Sequence, residues 1–338
     1  MKDVPDFLQA APCPALQAAH RYSQLQLQQL KHRFESCAAD LSAIETIAIG
    51  GSLGRLEASA DSDVDCIIVL RDEISVAEGE AQVGVIHELL AHSPFKAPKP
   101  DGIYRRGIVR KALLEHAALG SLNESAETFG KRMQLLLDAR PLFGGQRFHA
   151  LQRAIIGWYG SDFLTTSPSR SWTYLSHDLM RYLHSYAAWQ QFKFKRSADD
   201  SWQLRQAKFR TSRLLTFAAL MFLLGESDRD ANKMDWLHQR LALTPLQRLH
   251  SIMRIYEPKA YCELLSAYET SFAILADSAV RASLVASGPD TTTRMSATFH
   301  PAYEGIRQSS TPIARVLTEF ALARRVDWGG RFFERWLF

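Results

Sequence analysis

The chain has 338 residues, of which 46% are hydrophobic and 22% are charged. The apolar fraction is that of a globular protein and excludes wholesale disorder, and at about 100–200 residues per domain the length predicts two domains. Its 40 lysine and arginine residues exceed its 36 aspartate and glutamate residues by only four, so any binding to nucleic acid must be local.

The cysteines and the apolar segments indicate the compartment. Cys13, Cys37, Cys66 and Cys262 lie far apart and form no C-x-x-C pair, which excludes a zinc ribbon and favours reduced thiols. The N-terminus lacks the basic start and apolar stretch of a signal peptide. The longest apolar stretch, residues 214–224, is too short for the roughly 20 residues of a membrane span and predicts a buried core helix. We therefore expect a soluble, cytoplasmic protein without a membrane partner.

Helices and strands alternate in the first part of the chain. Apolar residues at helical spacing predict helices over residues 17–38, 76–92, 111–119 and 124–139. Runs of branched apolar residues predict strands over residues 44–49, 63–70 and 103–109. Proline and glycine predict a loop over residues 92–102.

From about residue 146 the pattern is almost entirely helical. The predicted helices cover residues 147–164, 171–194, 201–225, 244–253, 258–286 and 312–325, and a Gly-Pro-Asp stretch predicts a loop at 288–293. The sequence thus predicts a small unit of strands and helices over residues 1–145, followed by a helical domain over residues 146–338. Substrate clefts often lie where such domains meet.

One stretch joins a glycine turn to a pair of acids. Gly50, Gly51 and Ser52 follow the first predicted strand, and Asp63 and Asp65 open the second. Glycines let the backbone approach a ligand closely, and a hydroxyl beside backbone N–H groups at a helix start suits a phosphate. Acids two residues apart on a strand project from one face, where two carboxylates need a cation. Oxygen ligands of this kind select Mg²⁺ or Mn²⁺, so the stretch predicts metal-assisted chemistry at a nucleoside triphosphate.

These motifs resemble those of a known superfamily. Gly51-Ser52 followed by Asp63-x-Asp65 resembles the signature of the DNA polymerase beta-like nucleotidyltransferases. The longer form, GGSLGRLEASADSDVDCIIVL, is most similar to the N-terminal domain of bacterial PII uridylyltransferase and of related bacterial nucleotidyltransferases. LLLDARPLFG, over residues 135–144, resembles the segment that ends the same domain. The resemblance covers residues 40–145 with motifs and the helical part more loosely.

The resemblance implies both a fold and an activity. The fold is α+β, with a small nucleotidyltransferase-type mixed sheet and flanking helices, followed by an all-helical C-terminal domain that closes the cleft. The activity is the Mg²⁺- or Mn²⁺-dependent transfer of a nucleoside monophosphate from a nucleoside triphosphate, such as ATP, to an acceptor hydroxyl, with release of pyrophosphate. The metal ligands are Asp63 and Asp65, and the catalytic carboxylates are these two and Asp138. The residues expected to bind the nucleotide are Gly51, Ser52, Arg55, Arg181, Lys208 and Ser212.

The third carboxylate is the point at which the sequence departs from the family. The family supplies it from a later strand, and the predicted strand at 103–109 contains no acid. The candidates are Asp101, Glu124, Glu127 and Asp138. Asp138 lies in the recurrent segment but could equally pair with Arg140.

Two further alternatives stay open. Arg55 could contact a triphosphate or pair with Glu57. Residues 193–213 carry seven lysine and arginine residues against two aspartates, so their faces could neutralise phosphate charge or bind RNA. The acceptor could accordingly be a protein, an RNA or a small molecule. The alternative function is a catalytically degenerate, nucleotide-binding regulatory protein of the same fold.

Overall fold

A computed structural model describes residues 4–96, 102–115, 121, 123–160, 172–196, 201–286, 299–329 and 332–334. Within these ranges the protein is α+β, with one four-stranded mixed sheet and many helices. The strands are β1 (Ile44–Ile49), β2 (Cys66–Leu70), β3 (Ile108–Val109) and β4 (Arg140–Phe143). The helices are α1 (Pro14–Ser36), α2 (Gly51–Gly54), α3 (Val76–Ala91), α4 (Ala126–Leu137), α5 (Gly145–Gly160), α6 (Thr173–Arg196), α7 (Trp202–Lys208), α8 (Leu214–Ser227), α9 (Lys233–Leu241), α10 (Pro245–Tyr256), α11 (Pro258–Ala276), α12 (Ser278–Ala286), α13 (Pro301–Ala323) and α14 (Arg325–Trp328).

The sheet has the order β3-β2-β1-β4. β1 pairs antiparallel with both β2 and β4, and β2 pairs parallel with β3. Every residue of β2 is buried, and so is all of β1 except Glu45. Such continuous burial needs cover on both faces of the sheet and explains why both strands are almost wholly apolar.

The helices of the first part of the chain build the core on one face of the sheet. α1 contributes Leu27, Leu30 and Phe34, and α3 contributes Ile86 and Leu90. These side chains pack against the inward residues of the two central strands, which are Ile47, Ile49, Cys66 and Ile68. The alternation along the strands brings these residues to one face, because successive side chains point to opposite sides.

Two predicted strands have wrong bounds, and one strand was missed. β2 begins at Cys66 rather than at residue 63, so both acids precede the strand, although Asp63 forms an isolated bridge with Lys96. Of residues 103–109 only the last two form a strand, because Ile103–Arg105 is a short 3-10 helix. β4 was not predicted, since Pro141 and the following glycines resemble a loop; it forms because edge strands tolerate proline.

Dense internal contacts divide the chain into two compact units. One contains residues 19–178 and 227–244, including the whole sheet, and the other contains residues 1–18, 179–226 and 245–338. Two of the unit boundaries fall inside α1 and α6, a third falls before the last residue of α8, and the fourth falls between α9 and α10. The sequence-based domain boundary at residue 145 stays a prediction.

Most predicted helices are present, with different ends. α9 was missed, and the predicted helix 258–286 is two helices, α11 and α12, that meet at Asp277. α13 begins eleven residues before the predicted start at 312, because Pro312 lies inside the helix instead of at its first turn. The predicted loop at 288–293 lies outside the described residues, as do residues 97–101 of the loop predicted at 92–102.

The apolar segment at 214–224 forms most of α8, and its residues are buried or half-buried, as predicted. Across the ranges that the structure describes, α8 and the other helices all fall short of the length and apolar character that crossing a membrane requires.

Candidate active site

The glycine turn at the end of β1 has the close backbone geometry that its sequence predicts. Gly51 opens α2 with φ at +63°, in the left-handed region that favours glycine. The turn is closed by hydrogen bonds from the N–H of Arg55 to the carbonyl of Gly51 at 3.0 Å and from Glu57 to Ser52 at 2.8 Å. Within the described residues, Leu56 is the one non-glycine residue with a positive φ. Backbone in this region is strained and persists only where its surroundings fix it.

Asp65 lies directly against this turn. The backbone N–H of Gly50 donates to the carbonyl of Asp65 at 2.8 Å. A Cβ atom added at Gly51 would lie 2.2 Å from Oδ2 of Asp65. The carboxylate therefore occupies the space that any larger residue at position 51 would need, and glycine is required for both its φ and its lack of a side chain.

Asp63 shares the side of the chain on which Asp65 lies. Asp63 is exposed and Asp65 is half-buried, whereas Val64 and Cys66 are buried. The backbone on both sides of Asp63 is held, because Lys96 donates to the carbonyl of Ser62 and Val64 donates to that of Lys96, both at 3.3 Å. Hence both acids lie on the side of the chain away from the core, although neither lies in β2, and their role as metal ligands stays a prediction.

Ser52, the predicted phosphate ligand, is half-buried on α2. Its carbonyl accepts the hydrogen bond from Glu57, whereas its hydroxyl makes no hydrogen bond to any residue in the described ranges. The hydroxyl is therefore available to a ligand at the same turn as the Asp65 carboxylate.

Arg55 bridges two buried carboxylates. Its Nε donates to Glu57 at 2.7 Å and its Nη1 donates to Asp138 at 2.8 Å. The three side chains are only 11%, 5% and 6% exposed. Of the two roles left open for Arg55, pairing with Glu57 is thus present. The partner of Asp138 is Arg55 rather than Arg140, the alternative that the sequence suggested.

The start of β4 holds the far end of the turn. A Cβ atom at Gly54 would lie 2.3 Å from the carbonyl oxygen of Asp138. Nε of Arg140 donates to the carbonyl of Gly54 at 2.8 Å. The segment LLLDARPLFG therefore packs on the glycine turn, which explains why the two motifs occur together in this sequence.

The candidates for a third carboxylate that the structure describes are all engaged in ion pairs. Glu124 pairs with Arg132 at 2.6 Å, Glu127 pairs with Lys131 at 2.6 Å, and Asp138 pairs with Arg55. Asp101 lies outside the described residues. β3, the later strand that pairs with β2, consists only of Ile108 and Val109 and so contains no acid.

Sequence reasoning missed two residues beside the turn. The amide of Gln134 lies so close to Gly50 that an added Cβ would be 2.4 Å from its Nε2. The hydroxyl of Tyr104 donates to Oε1 of the same amide. Gln134 stands one helical turn before Asp138 and could have been found by that spacing, but nothing in the local sequence marks Tyr104.

Cys66, the residue after Asp65, is excluded as a nucleophile by its burial. Burial raises the pKa of Cys66 to about 12, although the charge of Lys131 opposes this rise. The thiol therefore stays protonated near neutral pH, and only the thiolate is nucleophilic. Burial also lowers the pKa of Lys131, whose ammonium donates to the carbonyl of Arg106 and to Glu127, both at 2.6 Å.

The remaining predicted nucleotide ligands belong to the other compact unit. Arg181 lies on α6, Lys208 ends α7, and Ser212 lies in a π-helix over Phe209–Arg213. All three are half-buried, and the Ser212 hydroxyl points back to the carbonyl of Lys208 at 3.5 Å. Of the three, only Ser212 lies in the π-helix, a kind of turn that recurs at functional sites.

Asp178 of α6 is buried. Its Oδ2 accepts a hydrogen bond from the hydroxyl of Tyr159 at 2.7 Å, and that hydroxyl accepts one from Nε of Arg132 at 3.1 Å. The Arg132 guanidinium also lies 4.8 Å from the centre of the Trp158 ring. These residues form a buried polar cluster with a structural role.

No model of a protein family matches this chain, and no curated protein is detectably similar to it in sequence. The chemistry of the site therefore has to be judged from the residues of this chain. In the parts of the chain that the structure describes, no group of three or more histidine, cysteine, aspartate or glutamate side chains is arranged to hold a metal.

Proposed function

We propose that the protein is a metal-dependent nucleotidyltransferase of the DNA polymerase beta-like type. It would transfer a nucleoside monophosphate from a nucleoside triphosphate to an acceptor hydroxyl and release pyrophosphate. The observation that carries this proposal is the position of the Asp65 carboxylate, whose Oδ2 lies against the backbone of Gly51. A carboxylate and a glycine turn in contact bring a metal ligand and a phosphate cradle to one place.

The donor set fits Mg²⁺ or Mn²⁺. Asp63 and Asp65 offer carboxylate oxygens only, and Asp63 has no ion-pair partner in the described residues. Magnesium in nucleotide sites is usually held by one or two carboxylates together with substrate phosphates, so two acids suffice. When bound, the ion would neutralise phosphate charge and polarise the reacting phosphorus.

The other residues of the turn would hold the triphosphate. The Ser52 hydroxyl can donate to a phosphate oxygen, and the absence of a side chain at Gly51 lets the backbone approach it. In the reaction, the acceptor hydroxyl loses its proton to water and its oxygen forms a bond to the α-phosphorus while the bond to pyrophosphate breaks. Arg55 would act mainly by holding Glu57 and Asp138, because its guanidinium is committed to both.

Asp138 as a catalytic carboxylate stays a prediction, and so do Arg181, Lys208 and Ser212 as nucleotide ligands. One Asp138 oxygen, Oδ1, is buried without a hydrogen-bond partner, which is costly unless something else binds it. If Asp138 acts on a metal, Asp138→Asn will raise the Mg²⁺ concentration needed for half-maximal transfer. If its role is structural, Asp138→Asn will lower stability and leave that concentration unchanged.

The test is label transfer from nucleoside triphosphates. The full chain is incubated with Mg²⁺, cell lysate and each of the four α-labelled triphosphates in turn, and the products are separated on protein and RNA gels. We expect label on one acceptor class, lost in Asp63→Asn and Asp65→Asn. Asp40→Asn is the matched control, since Asp40 is an exposed carboxylate on another element. Transfer that survives in both Asp63→Asn and Asp65→Asn, with the fold intact by circular dichroism, would rule out this mechanism.

A catalytically degenerate, nucleotide-binding regulatory protein is the second candidate. The observation that favours it is that Glu124, Glu127 and Asp138 are all engaged in ion pairs. Calorimetry separates the two functions, because the degenerate protein binds a triphosphate without releasing pyrophosphate under any acceptor condition.

The salt dependence of RNA binding tests whether the acceptor is an RNA or a protein. Residues 201–213 carry basic side chains, including Arg205, Lys208 and Arg210. If RNA is the acceptor, its affinity will fall steeply as salt rises, because several counterions are released on binding. A flat response, together with label on the protein gel, indicates a protein acceptor.

A further inference from the structure

Apart from the glycine turn and its acids, a positively charged cavity lies beside the edge strand β4. Its volume is about 200 Å³, and it is lined by Lys31 of α1, Arg140 of β4 and His149 of α5, with apolar contacts from Leu27 and Phe148. None of the residues that line it is an acid. A water molecule occupies about 30 Å³ in the liquid, so the cavity has room for a small polyatomic ion and its water shell.

Arg140 is held ready for a ligand by the backbone. Its Nε donates to the carbonyl of Gly54 at 2.8 Å, which fixes the plane of the guanidinium. Its two Nη nitrogens donate to no residue within the described part of the chain, and the side chain is half-buried there without a carboxylate partner. A guanidinium in this state has two parallel donors, the arrangement that binds phosphate and carboxylate in a bidentate way.

The pKa shifts of nearby groups indicate that the positive charge of Arg140 is not balanced by an acid. Burial, followed by the charges of Arg140 and Arg21, lowers the pKa of the neighbouring His20. Burial also lowers the pKa of Arg140, and no acid opposes it. An anion in the cavity would offset both effects.

We propose that this cavity is a binding site for a phosphate group, held by Arg140 from its base, Lys31 from its rim and the ring N–H of His149 from its side. The site is distinct from the triphosphate cradle, although Arg140 connects the two through the carbonyl of Gly54. It depends on no step of the transferase proposal, because neither Asp63 nor Asp65 contributes to it.

The test is calorimetric titration of the full chain with inorganic phosphate at constant ionic strength, without nucleotide or Mg²⁺. Glycerol phosphate in a second titration shows whether the phosphate is free or part of a monoester. We expect saturable binding of at least one of them. Arg140→Gln should weaken it by about tenfold or more, since it removes the positive charge and the charge-assisted hydrogen bonds to the phosphate.

Because Arg140 also binds the glycine turn, Arg140→Gln can disturb the fold. Lys31→Ala therefore provides a second test of the site. Lys31 is exposed, so its loss should weaken binding about two- to fivefold without affecting the fold. Lys259→Ala, which removes an equal charge from the exposed surface of α11, should leave the affinity unchanged. Equal affinities in the two lysine variants, or no saturable binding of either phosphate, would overturn the proposal.

Discussion

Arg55 and Asp138 lie 83 residues apart in the sequence and form a 2.8 Å ion pair beneath the glycine turn. The same guanidinium binds Glu57, so one cation pairs with two buried carboxylates. Removal of one partner from a buried pair leaves an uncompensated charge, which costs about 3–5 kcal/mol. The integrity of the candidate site therefore depends on Arg55 even if no ligand touches it.

Arg55→Ala should lower the free energy of unfolding by about 3–5 kcal/mol, measured by urea denaturation. Arg315→Ala is the control, because Arg315 also contacts two glutamates but is 48% exposed, and exposed pairs contribute at most about 1 kcal/mol. In a double-mutant cycle, Arg55→Ala and Asp138→Asn should be non-additive, since each removes the same contact. Additive effects, or equal losses at Arg55 and Arg315, would contradict the role given to this pair.

Gly51→Ala should destabilise the fold and impair the site together. A left-handed φ costs a non-glycine residue about 1–2 kcal/mol, and the new methyl would also overlap Oδ2 of Asp65. Gly84→Ala is the matched control, because Gly84 lies on the exposed side of α3 with nothing within 4 Å of an added Cβ. There the substitution should stabilise the protein by about 0.4–1 kcal/mol. Thermal unfolding of both variants measures the difference, and a neutral Gly51→Ala would show that the turn adapts.

Tyr159→Phe should cost about 1–3 kcal/mol, because the Tyr159 hydroxyl donates to Asp178 and accepts from Arg132 inside the buried polar cluster. Tyr22→Phe removes the same atom from a half-buried ring that packs on Phe95, with no hydrogen bond from its hydroxyl to any residue in the described ranges. That variant should unfold at the wild-type urea concentration. Equal midpoints for the two variants would mean that the cluster does not stabilise the fold.

The stability of the protein should fall in mild acid, in part because of His20. Burial lowers the pKa of His20 below its ordinary value of 6.5, so the unfolded chain binds a proton more readily than the folded one. The stability from neutral His20 is therefore fully present above about pH 6.5 and is lost as the pH falls toward the folded-state pKa. Burial lowers the pKa values of His87 and His250 in the same way.

Urea denaturation at about pH 7.5 and about pH 5.5 measures this dependence. His20→Gln should reduce the loss of stability between the two values, whereas His32→Gln, an exposed change on the same helix, should not. An unaltered pH dependence in His20→Gln would show that the proton is taken up elsewhere.

The two central strands and the glycine turn could be predicted because their signals are local. β2 is an unbroken apolar run, β1 is mostly apolar, and the turn contains two consecutive glycines. β4 could not be predicted, since Pro141 and Gly144 hide a four-residue edge strand whose partner is β1, about ninety residues earlier. The partner of Asp138 was missed for the same reason, because Arg55 is near only after the sheet has formed, whereas Arg140 is near in the sequence.

The start of β2 could not be predicted for a different reason. The β-branched residues Val64 and Ile67 lie on both sides of the point where β2 begins, so the residue types do not show where hydrogen bonding starts. The strand starts at Cys66 because the N–H of Gly50 binds the carbonyl of Asp65. The chain is then diverted at Asp63 by its bridge with Lys96.

The packing of Gly54 on the backbone of Asp138 has a consequence for protein engineering. A fragment that ends after β2 would include every residue of the glycine and acid motifs. It would lack Asp138 and Arg140, against which the turn packs. The smallest excised piece or transplanted graft that keeps this bend must therefore extend to Phe143, and a shorter one should leave the loop without a fixed shape.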